Sequence, residues 1–190
     1  MKTVEQVNKI EAVVLYVLQY FKNGVDYIKL FKIIYFAQRD YLASYGKELC
    51  PDTFRARNYG PVPSLSDKVI KLVEFQSDVK EEYPDLRKFA GSIKVENQLV
   101  YGQKKPNLDY LSIIERECLD KWYEYCKDKD SLKELSPESH DRAYRKACKR
   151  GKKDPQLSIL TSIEIAEAGG ASQKMLEYIR SKELLTAELA

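Results

Sequence analysis

One segment decides the fold of this chain: Asp26-Tyr-Ile-Lys-Leu-Phe-Lys-Ile-Ile-Tyr-Phe-Ala-Gln-Arg-Asp-Tyr-Leu-Ala-Ser-Tyr-Gly46. At about 100° per residue, its apolar side chains cover roughly 220° of a helix, whereas a helix at a protein surface needs an apolar stripe of only about 100°. The segment therefore predicts a central helix that packs against other elements on several sides, capped by Asp26 and ended by Gly46. The aromatic Phe36 interrupts its polar side, which carries Lys29, Lys32, Arg39, Asp40 and Ser44.

The sequence on either side of this segment predicts further helices, because capping boxes and apolar residues at helical spacing recur along it. The helix that follows Thr3 is expected to continue to Asn23-Gly24 and to form an antiparallel hairpin with the central helix through a very short loop. The expected helix starts are Thr3, Pro63 or Ser64, Ser112, Ser131, Thr161 and Ser172.

Short strands are predicted where the apolar period changes to two. Phe54–Arg57 alternates as in a half-exposed strand, which the proline-rich segment 60–63 is expected to break. Segments 92–95 and 98–102 predict a hairpin, and a polar connection is expected at residues 80–82. With no internal repeat or low-complexity linker, residues 1–190 are predicted to form a single domain. Its fold class is mainly α (α+β), a compact helical domain around a central buried helix with a small antiparallel β element.

The composition limits the classes of function. A content of 44% apolar residues can form a substantial core, and a net charge of +3 is too small to indicate nucleic acid or a membrane by itself. The four cysteines show no C-x-x-C spacing, and no apolar run approaches the roughly 20 residues of a membrane span. The chain begins without the pattern of a signal peptide. We therefore expect a cytoplasmic protein with reduced, mostly buried thiols.

Catalytic chemistry would depend on His140, because the chain has no other histidine. Ser139, His140 and Asp141 are consecutive, but neighbouring side chains point in different directions, whereas a triad needs convergence through the fold. His140 is therefore expected to pack or cap at a helix start, and a hydrolase is a distant alternative. No catalytic, cofactor-binding or metal-ligating residue is predicted, and no enzymatic activity is expected.

A basic run, Arg145–Lys153, is the best candidate for contact with nucleic acid, since six of its nine residues are cationic. No aromatic residue is interleaved after Tyr144. Cations near the negative end of a helix dipole explain the run more simply, so a solvated helix end is the favoured interpretation. The abundance of tyrosine, 14 residues against 6 phenylalanines, is instead typical of core edges and partner surfaces.

Four pieces of sequence, taken in order, resemble one family: Lys29-Leu-Phe-Lys-Ile-Ile-Tyr-Phe-Ala37, Tyr45-Gly46, Ala56-Arg-Asn-Tyr-Gly-Pro-Val-Pro63, and Leu135-Ser-Pro-Glu-Ser-His140 followed by Tyr144 and Ala147. This order is similar to that of the SocA-like antitoxin, or Panacea, domain, which occurs beside toxin genes and in prophage regions. Tyr144 stands where that family usually has tryptophan. The similarity covers about residues 5–150, and the helices at 161–186 are expected to pack on this core.

The resemblance implies a mostly helical domain without enzymatic activity, an antitoxin that neutralises a cognate toxin by binding it. It also leaves open an adaptor that delivers its partner to a bacterial protease. A nucleic-acid-binding phage or prophage regulatory protein is a further alternative. The partner surface is expected at Phe36 on the polar side of the central helix and at the turn formed by Arg57, Asn58 and Tyr59, which could also be purely structural. The last motif adds His140 and Tyr144.

Overall fold

A computed structural model of the chain describes residues 3–76 and 84–188. Within these ranges α-helices make up most of the molecule and the β structure is small, which confirms the predicted mainly α class. The polar connection expected at residues 80–82 lies outside the described residues. The helices are α1 (Val4–Leu18), α2 (Tyr27–Tyr45), α3 (Ser64–Glu74), α4 (Pro84–Ala90), α5 (Ile113–Cys126), α6 (Ser136–Glu138), α7 (Arg142–Gly151), α8 (Ser162–Ala168) and α9 (Gln173–Glu188).

The strands form two small antiparallel sheets. The first has the order β1 (Val25–Asp26), β5 (Leu99–Gly102), β4 (Ile93–Glu96), and the second pairs β2 (Phe54–Arg57) with β3 (Gly60–Pro63). The hairpin of β4 and β5 turns at Asn97 and Gln98, which both have positive φ, as a type I′ turn requires. In the second sheet, Phe54 is opposite Pro63 and Arg57 is opposite Gly60.

Helix α2 is the central helix that its sequence predicts. The Asp26 carboxylate accepts a hydrogen bond from the Lys29 amide at 2.9 Å, and Gly46 ends the helix with a left-handed φ of 62°. Helices α1, α5 and α8 and strand β3 pack around α2. Its residues from Leu30 to Gln38 are all buried, because these neighbours enclose most of the helix circumference.

Three local expectations were wrong. Helix α1 ends at Leu18 rather than near Gly24, because Val25 pairs with Val100 and the chain crosses to the sheet before it enters α2. The segment 60–63 does not end the strand structure but forms β3, since Pro61 and Pro63 need no amide donor at the positions they occupy on an edge. The capping residue expected at Ser131 lies one residue earlier, because the Asp130 carboxylate accepts hydrogen bonds from the backbone amides of Leu132 and Lys133.

The hairpin of β2 and β3 is attached to α3 through one buried carboxylate. Asp52 accepts hydrogen bonds from the backbone amides of Leu65 and Ser66, each at 2.9 Å, and from the Ser66 hydroxyl. These bonds satisfy amides that a helix leaves free in its first turn. On the other side, the Ala56 amide donates to the Ser158 carbonyl. The turn between the two strands is therefore held at a fixed position beside α2.

Of the four cysteines, Cys50 and Cys126 are buried, whereas Cys118 and Cys148 are only partly buried. All four cysteines are free thiols, and burial raises the pKa of Cys118 and of Cys126 to about 12. Among residues 3–76 and 84–188, none of the helices has the length and apolar character needed to cross a bilayer.

Candidate partner-binding site

Three of the four sequence motifs meet at one place, beside the first half of α2. They lie in α2 itself, in the turn between β2 and β3, and in the segment from α6 into α7. The turn between β2 and β3 lies between α2 and the segment that runs from α6 into α7. The Tyr144 hydroxyl donates to the Arg57 carbonyl at 2.9 Å, and the Ser136 hydroxyl donates to the Tyr59 carbonyl at 3.1 Å. Two hydroxyl groups from the last motif thus hold the backbone of the turn.

The turn exposes its side chains while its backbone is fixed. Arg57, Asn58 and Tyr59 are all exposed, Tyr59 to 55% of its surface, and we call these three residues the turn surface. Gly60 follows with a φ of 105°, and a Cβ built there would collide with the Ser139 hydroxyl. Only glycine fits this position, because it tolerates both the positive φ and the close approach.

His140 and Tyr144 support the turn rather than extend its exposed surface. Their rings stack at a centroid distance of 4.1 Å and an interplanar angle of 8°, and Tyr144 is buried. The His140 Nε2 atom is buried and has no hydrogen-bond partner. Burial, followed by the nearby charge of Lys32, lowers the pKa of His140, which favours the neutral imidazole at neutral pH.

Asp141 attaches this segment to α2. Its carboxylate caps α7 by accepting from the Tyr144 amide at 3.1 Å, and it also accepts from the Tyr35 hydroxyl at 2.7 Å and from Arg39 Nη1 at 3.0 Å. The Ser139 hydroxyl donates to the Ser136 carbonyl instead. The hydrogen bonds of Ser139 and Asp141 therefore go to other groups, and the consecutive Ser-His-Asp residues form no catalytic triad.

Phe36 was expected on the surface, and this expectation was wrong. Its side chain is 0% exposed and packs against Trp122 of α5, with the two ring centroids 5.1 Å apart. Helix α5 covers the polar side of α2, because Trp122 and Lys121 both donate to the Asp40 carboxylate. Asp40 on the polar side of α2 thus binds α5, and Phe36 lies beneath that contact.

Lys32 is a feature of this site that the sequence interpretation missed. It was assigned to the polar face of α2, yet it is only 1% exposed, and its Nζ atom donates to the Pro61 carbonyl at 3.0 Å. Burial is the cause of its lowered pKa, about 7, and no carboxylate of the described residues contributes. The sequence does indicate this burial, because the apolar residues Ile28 and Phe36 lie one helical turn before and one turn after Lys32 on the same face of α2.

A cleft of about 340 Å³ opens beside Lys32, and we call it the turn cleft. One wall is the turn surface, and another is α3, where Lys71 pairs with Asp67 at 2.7 Å. Phe75 follows Lys71 by four positions, so it lies on the same side of α3, and it is 69% exposed. The full lining is Tyr27, Ile28, Phe31, Lys32, Arg57, Asn58, Tyr59, Val62, Asp67 and Lys71.

A larger cleft of about 670 Å³ lies at the other end of α2, between Gly46 and α9. Glu48 and Glu183 both line it, and burial together with the charge of Glu48 raises the pKa of Glu183. None of the predicted site residues lines this cleft, whereas Arg57, Asn58 and Tyr59 line the turn cleft.

Two cations of the basic run bind α8. Arg150 donates to both carboxylate oxygens of Glu164, at 2.6 and 2.8 Å, and Lys146 pairs with Glu167 at 2.7 Å. Arg145 donates to the His140 carbonyl. These three cations therefore bind protein groups, which differs from the solvated helix end that was expected for the run.

The comparison with protein families gives one match. The sequence profile described as antitoxin SocA-like, Panacea domain, matches residues 30–144, which include Lys32, the turn surface and the segment from Ser136 to Tyr144. No curated protein and no solved structure matches the chain.

Proposed function

This chain belongs to the SocA-like antitoxin family with a Panacea domain, and from that premise we propose that it neutralises a cognate toxin by binding it directly through the turn surface. Under this proposal the toxin is the product of a neighbouring gene, as in a prophage-borne toxin–antitoxin pair, and the two proteins meet in the cytoplasm.

The observation that carries the proposal is the convergence of three separate motifs on one exposed turn. Residues of α2, of the β2–β3 hairpin and of the segment before α7 are far apart in the chain, yet the backbone of Arg57 and Tyr59 is bound by Tyr144 and Ser136. A turn held in one conformation loses little conformational entropy when it binds a partner. The side chains it exposes are an arginine, an amide and a tyrosine, of which arginine and tyrosine are frequent interface anchors.

The same site supports binding rather than catalysis as the mode of action. The groups that could perform acyl transfer are bound elsewhere, since Ser139 donates to a carbonyl and Asp141 binds Tyr35, Arg39 and an amide. Phe75, one helical turn beyond Lys71, adds an exposed aromatic ring on the same side of α3. We infer that neutralisation consists of covering a surface of the toxin and requires no reaction.

The test is co-expression of the chain with the product of the adjacent open reading frame. That product should inhibit growth alone, and the wild-type chain should restore growth and bind it in a purified complex. Replacing Tyr59 and Arg57 by alanine should weaken the complex by about 30-fold or more, the loss expected for hot-spot residues.

The matched control is Tyr45→Ala, because Tyr45 is 45% exposed at the opposite end of α2, outside the turn surface. This variant should bind the toxin like wild type, and all variants should keep the wild-type melting temperature within a few degrees. An adjacent product that is harmless alone would contradict the proposal. So would a toxin that binds the Arg57 and Tyr59 variants as tightly as it binds Tyr45→Ala.

A second candidate, an adaptor for a protease, is favoured by one further observation. Leu184 and Leu185 on α9 are 61% and 59% exposed, and this helix packs near Gly46. At 1.5 Å per residue, Gly46 lies about 20 Å along α2 from Lys32, so the two surfaces could bind different proteins at once. Toxin half-life separates the candidates: an adaptor shortens it, and Leu184→Ser with Leu185→Ser restores it without changing toxin binding.

A further inference from the structure

Within residues 3–76 and 84–188, Lys32 has no counter-charge of the kind that a buried ammonium normally has. An ammonium has three donors, of which one binds the Pro61 carbonyl, and the ion pairs of the described residues do not include Lys32. Buried lysines are rare unless they are paired. A Cβ built on Gly60 would lie 2.7 Å from the Lys32 Nζ atom, so the amine lies directly against the backbone of the turn.

The turn cleft has an uncompensated positive charge. Its charged lining residues are Lys32, Arg57 and Lys71 against Asp67 alone, and the Asp67 carboxylate is already bound by Lys71. A ligand that complements this cleft therefore carries negative charge.

The shape of the cleft restricts that ligand further. Phe31, Ile28 and Val62 give it apolar walls, and its volume of about 340 Å³ exceeds that of a single side chain. The turn backbone beside Lys32 offers the carbonyl of a proline, which has no amide donor, so a nest of amides for a phosphate is not formed there. An acidic group on an apolar stem, the chemistry of a glutamate side chain, fits both the charge and the walls.

We propose that the turn cleft receives an acidic side chain of the bound partner protein and that the Lys32 ammonium pairs with its carboxylate. This inference rests on the proposed function, because the partner is the toxin. Rotation of the flexible lysine stem, which lines the cleft, exchanges the neutral Pro61 carbonyl for the charged carboxylate. The cation that the fold leaves unpaired is thereby paired only in the complex, which makes acidity at one position of the toxin a condition of recognition.

The test follows the lysine side-chain signals of the full chain by NMR, with ¹³C- and ¹⁵N-labelled lysine. The probe is N-acetyl-glutamate α-amide, and its uncharged control is N-acetyl-glutamine α-amide. We expect the glutamate probe to shift the Lys32 signals and to raise the pKa of Lys32 toward its ordinary value, and the glutamine probe to leave both unchanged. Lys71 is an internal control, because it lines the same cleft but is already paired with Asp67.

The measurement uses the wild-type chain, so the folding of a variant does not decide it. An unchanged Lys32 signal at probe concentrations that saturate ordinary weak sites would overturn the proposal. So would a shift caused by inorganic phosphate and not by the glutamate probe, which would assign a phosphate ligand instead. Rescue of growth by the wild-type chain tests the proposed function separately. If growth is rescued but the glutamate probe leaves the Lys32 signals unchanged, only the acidic contact is refuted.

Discussion

The buried, unpaired amine of Lys32 should control how the stability of this protein depends on pH. In the unfolded chain a lysine holds its proton up to about pH 10.5, whereas burial lowers the pKa of Lys32 to about 7 in the folded chain. Between these two values the unfolded state binds more protons than the folded state. The free energy of unfolding therefore rises as pH rises through this window, and the destabilisation is largest below about pH 7.

The magnitude follows from the two pKa values. With a folded-state pKa of about 7 against 10.5, keeping Lys32 in its site destabilises the fold by roughly 4 kcal/mol at pH 7 and by roughly 2 kcal/mol at pH 9. The wild-type chain should thus gain about 2 kcal/mol of stability over this interval from Lys32. The variant Lys32→Met has no group to titrate at this position, so this gain should disappear.

The assay is urea unfolding of both proteins between about pH 6 and pH 9, followed by the fluorescence of Trp122, the only tryptophan. With a slope of roughly 2 kcal/mol per molar urea, the wild-type midpoint should move by about 1 M relative to the variant between pH 7 and pH 9. Ionisation of the unfolded cysteines acts in the opposite direction above about pH 8, because burial keeps Cys118 and Cys126 protonated in the fold. It acts equally on both proteins and cancels in their difference.

Lys71→Met is the matched control, since Lys71 lies on the same cleft in a surface ion pair and its removal should leave the wild-type pH profile. The absolute stability of Lys32→Met is less informative, because the Pro61 carbonyl also loses its donor. Parallel pH profiles for wild type and Lys32→Met would refute the reasoning, as they would show that Lys32 stays protonated in the folded chain.

Three further predictions concern the same scaffold. Gly60→Ala should lower the free energy of unfolding by about 2–4 kcal/mol in urea, because Gly60 has a positive φ and the new Cβ would collide with the Ser139 hydroxyl. Gly170→Ala should lower it by only about 1 kcal/mol, because Gly170 also has a positive φ but has open space for a Cβ. Asp141→Ala should lose about 3 kcal/mol, because it leaves a half-buried guanidinium unpaired, against less than about 1 kcal/mol for Asp67→Ala at the surface. A thiol reagent at mildly alkaline pH should modify Cys126 more than about 100-fold faster in the urea-unfolded chain than in the native chain; equal rates would contradict its burial.

Much of the fold could be predicted because local signals are strong in this sequence. The Thr3, Ser112 and Thr161 boxes cap helices as expected, since a cap depends on residues within one turn. The pairing of Val25 with Val100 could not be predicted, because a two-residue strand has no period of its own. For the site, the sequence placed Arg57, Asn58 and Tyr59 on a surface turn correctly, since a strand that ends at a glycine in a tight turn exposes polar groups there.

By itself, the sequence determined that a central helix exists, where it begins and ends, and that its first half belongs to a motif shared with the turn and the histidine segment. Only the tertiary structure decided what covers each side of that helix. Helical periodicity states which residues share a face, but it contains no information about which distant element packs there. For this reason Phe36 lies beneath α5, and Lys32, which periodicity places on the polar face of the helix, is buried behind the turn.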